Sequence, residues 1–328
     1  MKGEHFYGVT GGFDLEKELD DSLGLHLSHH WLRKKKWNYW CVTNEKSLFS
    51  IIILNFDYAG MVCAFFYNFK TGKFVEKKVI IPFGKGCRMP DGVYESIFFN
   101  NHKLPAQLVY EQGITHIIVK CSDFGNEQLE ADIKIKNSKE HEVLNVTVPL
   151  GKKRIQFISK HQCLPAEGIV QVGREVYPFE YGSAFASFDF CRGVLPYKVN
   201  RNLSAASGIM NGRTVGFNLG AKLTNGAGIT ENSIVINRKL IKLNEEILFN
   251  YDIENPMKPW KISTGITNRV NLEFVPVYEQ ITKLDFIIIK HEVHKLIGYF
   301  YGTIEDENGE KISINRLTGC SEYHFGKW

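Results

Sequence analysis

The sequence predicts an all-β protein of two antiparallel β-barrels or sandwiches with few short helices. Three observations predict it. From about residue 37 onward, apolar and aromatic runs of strand length follow one another at short intervals. Turns bearing glycine separate them, supplying the positive φ that tight hairpins need. The third observation is negative: no strong 3.6-residue apolar repeat marks an amphipathic helix, and the best candidate, "DLEKELDDSLGLHLSHHWLRKKKW" at 14–37, is interrupted by Gly24.

In chain order the strand segments begin with "WNYWCVT" and "SLFSIIILNFDYAGMVCAFFYNF", then "HIIVKCSDF", "KRIQFISK" and "IVQVGREVYPFEYG". The later half continues with "TVGFNLGAKL", "SIVINRKLIKL", "ILFNYDI" and "VNLEFVPVYEQ". Hairpins are marked at "NFKTGKF", "VQVGREV", "KLTNGAG" and "EDENGEK". So many strands cannot remain one open sheet, because exposed edges invite aggregation and closure removes them. At 328 residues two units are expected. The boundary is expected at "CLPAEG", Cys163 to Gly168, dividing the chain into 1–165 and 166–328.

Composition excludes several function classes. Hydrophobic residues make up 44% and charged residues 23%, as in an ordinary folded protein. Lys+Arg 40 against Asp+Glu 36 leaves little excess charge, and the basic run "RKKKW" is too short for a nucleic-acid arm. No apolar run reaches bilayer-spanning length, and the opening residues lack a secretory signal pattern, so neither nucleic-acid binding nor integral membrane association is expected. Seven cysteines without a C-x-x-C argue against a disulfide framework and a zinc cluster, and a reducing cytoplasm is the expected compartment.

The first candidate cluster is "FDFCRGVLPYKVN", with Asp189, Arg192, Tyr197 and Asn200 among bulky apolar residues. Alternation puts Phe188 and Phe190 on one face and Asp189 on the other. A charge in such a strand must be paired or used, because burying it alone is costly. Two readings stand: a desolvated carboxyl ready to exchange a proton, with Arg192 orienting it, or a structural ion pair at a barrel corner.

In the second cluster, "GFNLGAKLTNGAGITENSIVINRKL", Asn218 is flanked by Gly216 and Gly220 on a face without bulk, so something else must fill that volume. Glu231 and Asn232 open the next strand there. The third cluster is "KHEVHKLIGYFYG": "HEVH" is one residue short of H-E-x-x-H, and a strand would put His291 and His294 on opposite faces, which argues against a metal. It would put Glu292 and His294 on the same face, as an acid/base pair or as a satisfied buried histidine. Asp57 in "NFDYAG" and Trp260 in "ENPMKPW" are smaller signals, the Trp either walling a pocket or plugging a barrel.

Together these pieces resemble a known family. "FDFCRGVLPYKVNRNLSAASG", "VGFNLGAKLTNGAGITENSIVINRKLIKL", "NPMKPWKI", "HEVHKLIGYFYGTI" and "GCSEYHFGKW" are similar, in order and spacing, to domain of unknown function 2804, with "KKKWNYWCV" and "NFDYAGMVCAFFYNF" as its opening strands. Where the family pattern is an aromatic-rich "GVWPYRTRWNW", this chain has Leu195, Lys198, Val199, Asn202 and Leu203, which implies a wider or differently shaped cavity. The hairpin "GIVQVGREVYPFE" followed by an Asp-bearing strand also resembles the two-barrel, lipocalin-like group of carotenoid hydratases, tocopherol cyclase and fungal Diels–Alderases. That resemblance implies paired calyx-like barrels with an apolar ligand at their interface.

The expected function is acid/base catalysis on a small apolar or amphiphilic molecule, without metal or other cofactor: hydration, cyclisation or isomerisation. Asp189, kept neutral by desolvation, is the expected proton donor, with Arg192 and His294 beside it. Tyr197, Asn200, Asn218, Glu231, Asn232 and Glu292 are the expected polar contacts, and Trp260 an apolar wall. The alternatives are a non-catalytic carrier of hydrophobic ligands, and a carbohydrate-active enzyme in which Asp189 and Glu231 face each other across a groove.

Overall fold

The computed structural model describes residues 4–7, 34–150, 154–286 and 289–327, and every helix or strand among them is a β-strand. The expected short helices are therefore absent among the described residues. Of the helix candidate at 14–37, residues 14–33 lie outside the described residues and 34–37 begin a strand. No helix among the described residues is long and apolar enough to cross a membrane.

The first sheet contains β1 (Glu4–Tyr7), β2 (Lys34–Thr43), β3 (Ser47–Asn55), β4 (Ala59–Asn68), β5 (Phe74–Pro82), β6 (Cys87–Arg88), β7 (Ile97–Phe99), β8 (Ala106–Glu111), β9 (Ile114–Phe124), β10 (Glu127–Lys136), β11 (Val143–Pro149), β12 (Ile155–Val172) and β13 (Glu175–Val194). The second contains β14 (Lys198–Met210), β15 (Arg213–Ala221), β16 (Ser233–Ile236), β17 (Lys239–Lys242), β18 (Ile247–Asn250), β19 (Trp260–Thr264), β20 (Val270–Phe286), β21 (Ile289–Glu305) and β22 (Lys311–Lys327). The order in the first is β5-β4-β3-β2-β13-β12-β10-β9-β8-β7-β6, with β11 also on β12 and β1 parallel to β11; in the second it is β17-β16-β15-β14-β22-β21-β20-β19-β18.

Each sheet curls around its own core. In the first, Trp40, Phe49, Phe66, Phe124, Phe188 and Phe190 fill the concave side. Ion pairs of Lys73, just before β5, with Glu127 of β10, and of Lys77 in β5 with Asp123 of β9, bring distant strands together. In the second, Phe217, Trp260, Phe274 and Phe300 do the same. Because side chains alternate, the other face of β2, β3 and β4 points out of the first core, and Cys41, Phe65 and Tyr67 pack there with Ile297, Tyr278 and Cys320 of the second sheet. The sheets thus meet back to back along a seam.

The sheets change over at residues 195–197, between β13 and β14. The boundary expected at 165 falls inside β12, which runs on past it. The Pro and Gly that suggested a boundary mark bulges instead: pairing with β13 shifts between His161 and Leu164 and again between Ala166 and Gly168. Gly168 has φ +144, and a Cβ there would come within 2.1 Å of the Asp132 carbonyl oxygen. Gly168→Ala is expected to cost about 2 kcal/mol, the scale of a strained backbone position, and to lower the urea midpoint without changing spectroscopic strand content. An unchanged midpoint would mean the bulge relaxes without strain.

Candidate functional site

Four buried charges join the sheets along one edge of the seam. Lys160 of β12 reaches Asp189 at 2.5 Å and Glu231 at 3.2 Å. Arg201 of β14 reaches Glu231 at 2.8 Å and Asp189 at 3.5 Å. Trp37 Nε1–H donates to Asp189 at 3.0 Å. Burial alone would raise the Asp189 carboxyl, but the Lys160 and Arg201 charges outweigh it and hold the group below its ordinary range. Burial likewise opposes the Arg201 charge, and Glu231 and Asp189 overcome it. The cluster holds two cations and two anions, and it is an ionised lattice rather than a store of protons.

The seam is closed on its other edge between β5 and β20. Phe74 stacks on Tyr278 at 4.2 Å, Gln280 donates to Glu76, and Lys78 Nζ donates to Thr282 Oγ1 at 2.8 Å. Between the two edges lies a cleft of about 130 Å³. The first sheet gives it an apolar wall of Ile52, Leu54, Phe56, Met61, Cys63 and Phe65, with Lys78 and Asp189 at its margins. The second gives it polar groups, chiefly Arg201, His291, Lys295, Glu322 and His324.

The two imidazoles sit with ring centres 4.6 Å apart and nearly edge to face. Burial, helped by the nearby Lys78 charge, pushes His291 down to about 4. Burial, with His291 and Arg201 nearby, drives His324 well below the usual histidine value. Both are therefore neutral at pH 7. Burial opposes the Lys295 charge, but the Glu322 carboxylate at 3.4 Å outweighs it, so the ammonium is held charged. The cleft combines an apolar wall, a neutral imidazole pair and the Lys295–Glu322 ion pair.

The sequence-derived candidates distribute unevenly over this geometry. Asp189 and Glu231 are brought together, but inside the ionised lattice and 7% and 0% exposed, not across an open groove. Arg192 does not orient Asp189: three residues along a strand reverse the face, and its guanidinium lies 5.9 Å over the Phe157 ring and 3.7 Å from Asp91. Asn218 donates to the Glu231 carbonyl at 2.7 Å, and Asn232 accepts from the Gly220 N–H at 2.6 Å, so both hold the loop that delivers Glu231. A Cβ on Gly220 would strike Glu231, and one on Gly216 would meet Cys163 of β12 at 2.6 Å; the missing bulk is filled by the lattice and by the other sheet.

Glu292 and His294 do form the expected pair, 2.7 Å apart, and Glu279 takes the other ring nitrogen at 2.6 Å. His294 stacks on Tyr323, Glu292 is partly exposed beside Lys283, and neither lines the cleft. His291 faces the opposite way, as alternation predicts. Trp260 plugs the second barrel, fully buried with its N–H on the Pro256 carbonyl. Tyr197 and Asn200 are exposed and line no part of the cleft. Asp57 is a turn residue with φ 66 whose carboxylate accepts from the Lys34 N–H. Lys160, Arg201, Lys295, Glu322 and His324 carry the site without having been singled out; a lysine inside "RIQFISK" was the available signal.

A model of the family described as Domain of unknown function (DUF2804) matches residues 16–328, and the chain belongs to that family. No functionally curated protein matches the sequence. Among solved structures, a candidate AttH from Nitrosomonas europaea is similar with TM-score 0.56 and 11% identity, over 98% of this chain and 99% of that one. CghA, in a crystal structure with Sch210972, has TM-score 0.51 and 7% identity over 90% and 89%. Kievitone hydratase from Nectria haematococca has TM-score 0.45 and 9% identity over 88% of each chain. The first two establish a shared two-sheet fold.

Two expectations follow. Asp189→Asn strands a buried Lys and Arg on Glu231 alone and should cost about 3 kcal/mol in chemical denaturation, as when one partner of a buried pair is removed; wild-type stability would show the lattice to be dispensable. His291, His324 and His161, the last held down to about 3 by burial and by the nearby His141, take up protons in the unfolded chain below about pH 6.5 but not in the folded one until much lower. Stability should therefore fall as pH drops from about 6.5 toward 4, by up to about 1.4 kcal/mol per pH unit for each histidine. His291→Gln should flatten that slope by one proton. A pH-independent urea midpoint above pH 5 would contradict the assignment.

Proposed function

We propose that the protein is an acid/base enzyme of hydratase, cyclase or isomerase type, acting on an apolar or amphiphilic small molecule held in the cleft between the sheets. The observation that carries this reading is the neutral His291–His324 pair facing the wall of Leu54, Phe56 and Met61. A neutral imidazole accepts a proton at one nitrogen and donates at the other, and an imidazolium whose pKa is near 4 gives its proton up readily. Lys295 and Arg201, each already paired with a carboxylate, present N–H donors on the same side, where a carbonyl or enol oxygen would accept a hydrogen bond. The proton-handling role passes from Asp189, fixed in the lattice, to the histidines.

The cleft volume bounds the reacting portion of the ligand. About 130 Å³ is close to an apolar cavity that holds a benzene-sized ring, so a larger substrate must extend along the seam. CghA, which shares the fold, is known in a crystal structure with Sch210972, which supports a bound organic compound in this architecture.

The test is native mass spectrometry of gently purified protein, with extraction and identification of the bound molecule. That molecule is then incubated with wild type and with His291→Gln/His324→Gln. Conversion by wild type, reduced at least roughly 100-fold in the variant with binding retained, is the expected result. Equal conversion by both would remove the histidines from the mechanism. Recovery of the molecule unchanged from wild type would favour a carrier, a reading to which the closed ion lattice also lends itself.

A further inference from the structure

The seam continues past the cleft. A narrow space of about 30 Å³, walled by Cys41, Ser187, Ala205 and Cys320, shares Tyr39, Leu203, Lys295 and Glu322 with the cleft. At its other end it shares Thr43, Ser207 and Thr318 with a groove of about 720 Å³, where the rims of the two sheets part. The three spaces lie in line along the strands. Along β14, the six residues from Leu203 at the cleft to Ile209 in the groove span roughly 20 Å.

The groove differs in character from the cleft. Its apolar surface comes from Val176, Ile209, Met210 and Leu317, with Val176 53% and Ile209 43% exposed. Its rim carries Lys46, Lys70 and Arg316 against Glu45 and Glu180. Lys73 and Lys77, close in sequence to Lys70, are tied to Glu127 and Asp123. Among the described residues, Lys46, Lys70 and Arg316 close no such pair.

Arg316 is held in place from several sides. Its guanidinium lies 4.7 Å over the Tyr299 ring and donates to the Tyr299 hydroxyl at 3.3 Å. Tyr299 packs 5.3 Å from Phe69, whose N–H donates to the Lys46 carbonyl, so Arg316 and the Lys46 turn share one rim. The Arg316 backbone has φ 57, beside a register shift between β21 and β22 at Phe300/Gly302. Bulges of this kind re-aim a side chain, and a non-glycine residue keeps a positive φ only where its surroundings impose it.

We infer that the groove is a second subsite, which takes the anionic head group of a single-chain amphiphile whose chain lies in the seam and whose far end reaches the His291–His324 pair. The inference rests on the cleft being the ligand site and sharpens the substrate class to an elongated acid. Cationic side chains over an apolar floor suit a carboxylate or phosphate head, and the space beside Cys41 and Cys320, about 30 Å³, excludes a ring system and must widen slightly for a single chain to pass.

Calorimetric titration with dodecanoate, dodecyl phosphate, dodecanol and hexanol tests it on wild type, on Lys70→Gln/Arg316→Gln and on Ala205→Trp. Wild type should bind the dodecyl acids more tightly than hexanol. The double variant should lose roughly tenfold or more for the acids and keep its affinity for dodecanol, since only charge-assisted contacts are removed. Ala205→Trp, which plugs the passage, should retain hexanol and lose the advantage of the longer chain. Whichever acid binds more tightly identifies the head group as carboxylate or phosphate. A dodecanoate no tighter than hexanol, or a double variant that treats acid and alcohol alike, would overturn the subsite while leaving the cleft intact. Failure of hexanol to bind wild type would overturn the cleft reading and the subsite with it.

Discussion

Four charges that must be buried together fix how the two sheets meet. Lys160 and Asp189 come from the first sheet, Arg201 and Glu231 from the second, so each sheet brings a neutral pair to the junction. Docking interlocks them: Asp189 Oδ2 and Glu231 Oε2 each face both Lys160 and Arg201. Buried ion pairs recover their desolvation cost only with good geometry and full pairing, and a shift by one residue along any of these strands would turn a charge to the opposite face. The lattice therefore acts first on register.

Its demands spread outward into the sequence. Glu231 can reach the junction because Gly220 leaves it room and because Asn218 and Asn232 hold its loop. Gly216 lets β15 approach β12, where Cys163 and Gln162 fill the space a side chain would take. Beside it, Gln162, Ser187 and Ser207 hydrogen-bond across the same edge, with Ser187 2.6 Å from Gln162. With this edge sealed by polar contacts and the opposite one by the Phe74–Tyr278 stack, the space left between them is small, about 130 Å³ in the cleft and 30 Å³ beside Cys41 and Cys320. Between these edges the seam is itself packed, by Cys41, Phe65 and Tyr67 against Ile297, Tyr278 and Cys320, and the spaces lie beside that packing.

Most of the fold was legible in the chain because alternation and turn chemistry are local. Phe188 and Phe190 in the core with Asp189 reversed, and His291 and His294 on opposite faces, follow from extended backbone alone. The domain boundary was not legible, since Pro165 and Gly168 carry the same letters in a bulge as in a linker. The site was legible in part. Asp189 announced a buried partner, but the nearby Arg192 was the wrong one: the true partners lie on β12 and β14, and no rule of sequence spacing relates Lys160 or Arg201 to Asp189. His294 and Glu292 pair as their spacing suggests, while which face of β21 meets the first sheet is decided by packing between sheets.

The placement of chemistry on one side of the seam also has a cause in the strands. "SLFSIIILNF" and "MVCAFFYNF" are apolar on both faces because β3 and β4 are covered twice, by the first core and by the second sheet. Strands of that kind carry few polar side chains, Ser50 and the strand ends apart, so they give the cleft its apolar wall. β21 and β22 also lie between the second core and the seam, yet on their seam side they carry His291, Lys295, Glu322 and His324. Core packing does not require those four, and desolvation penalises each of the charged or chargeable forms. Their cost is offset within the cleft itself, by the Lys295–Glu322 pair and by histidines that give up their charge. An arrangement that neutralises itself in this way while lining a cleft is one that holds a polar function ready against an apolar surface.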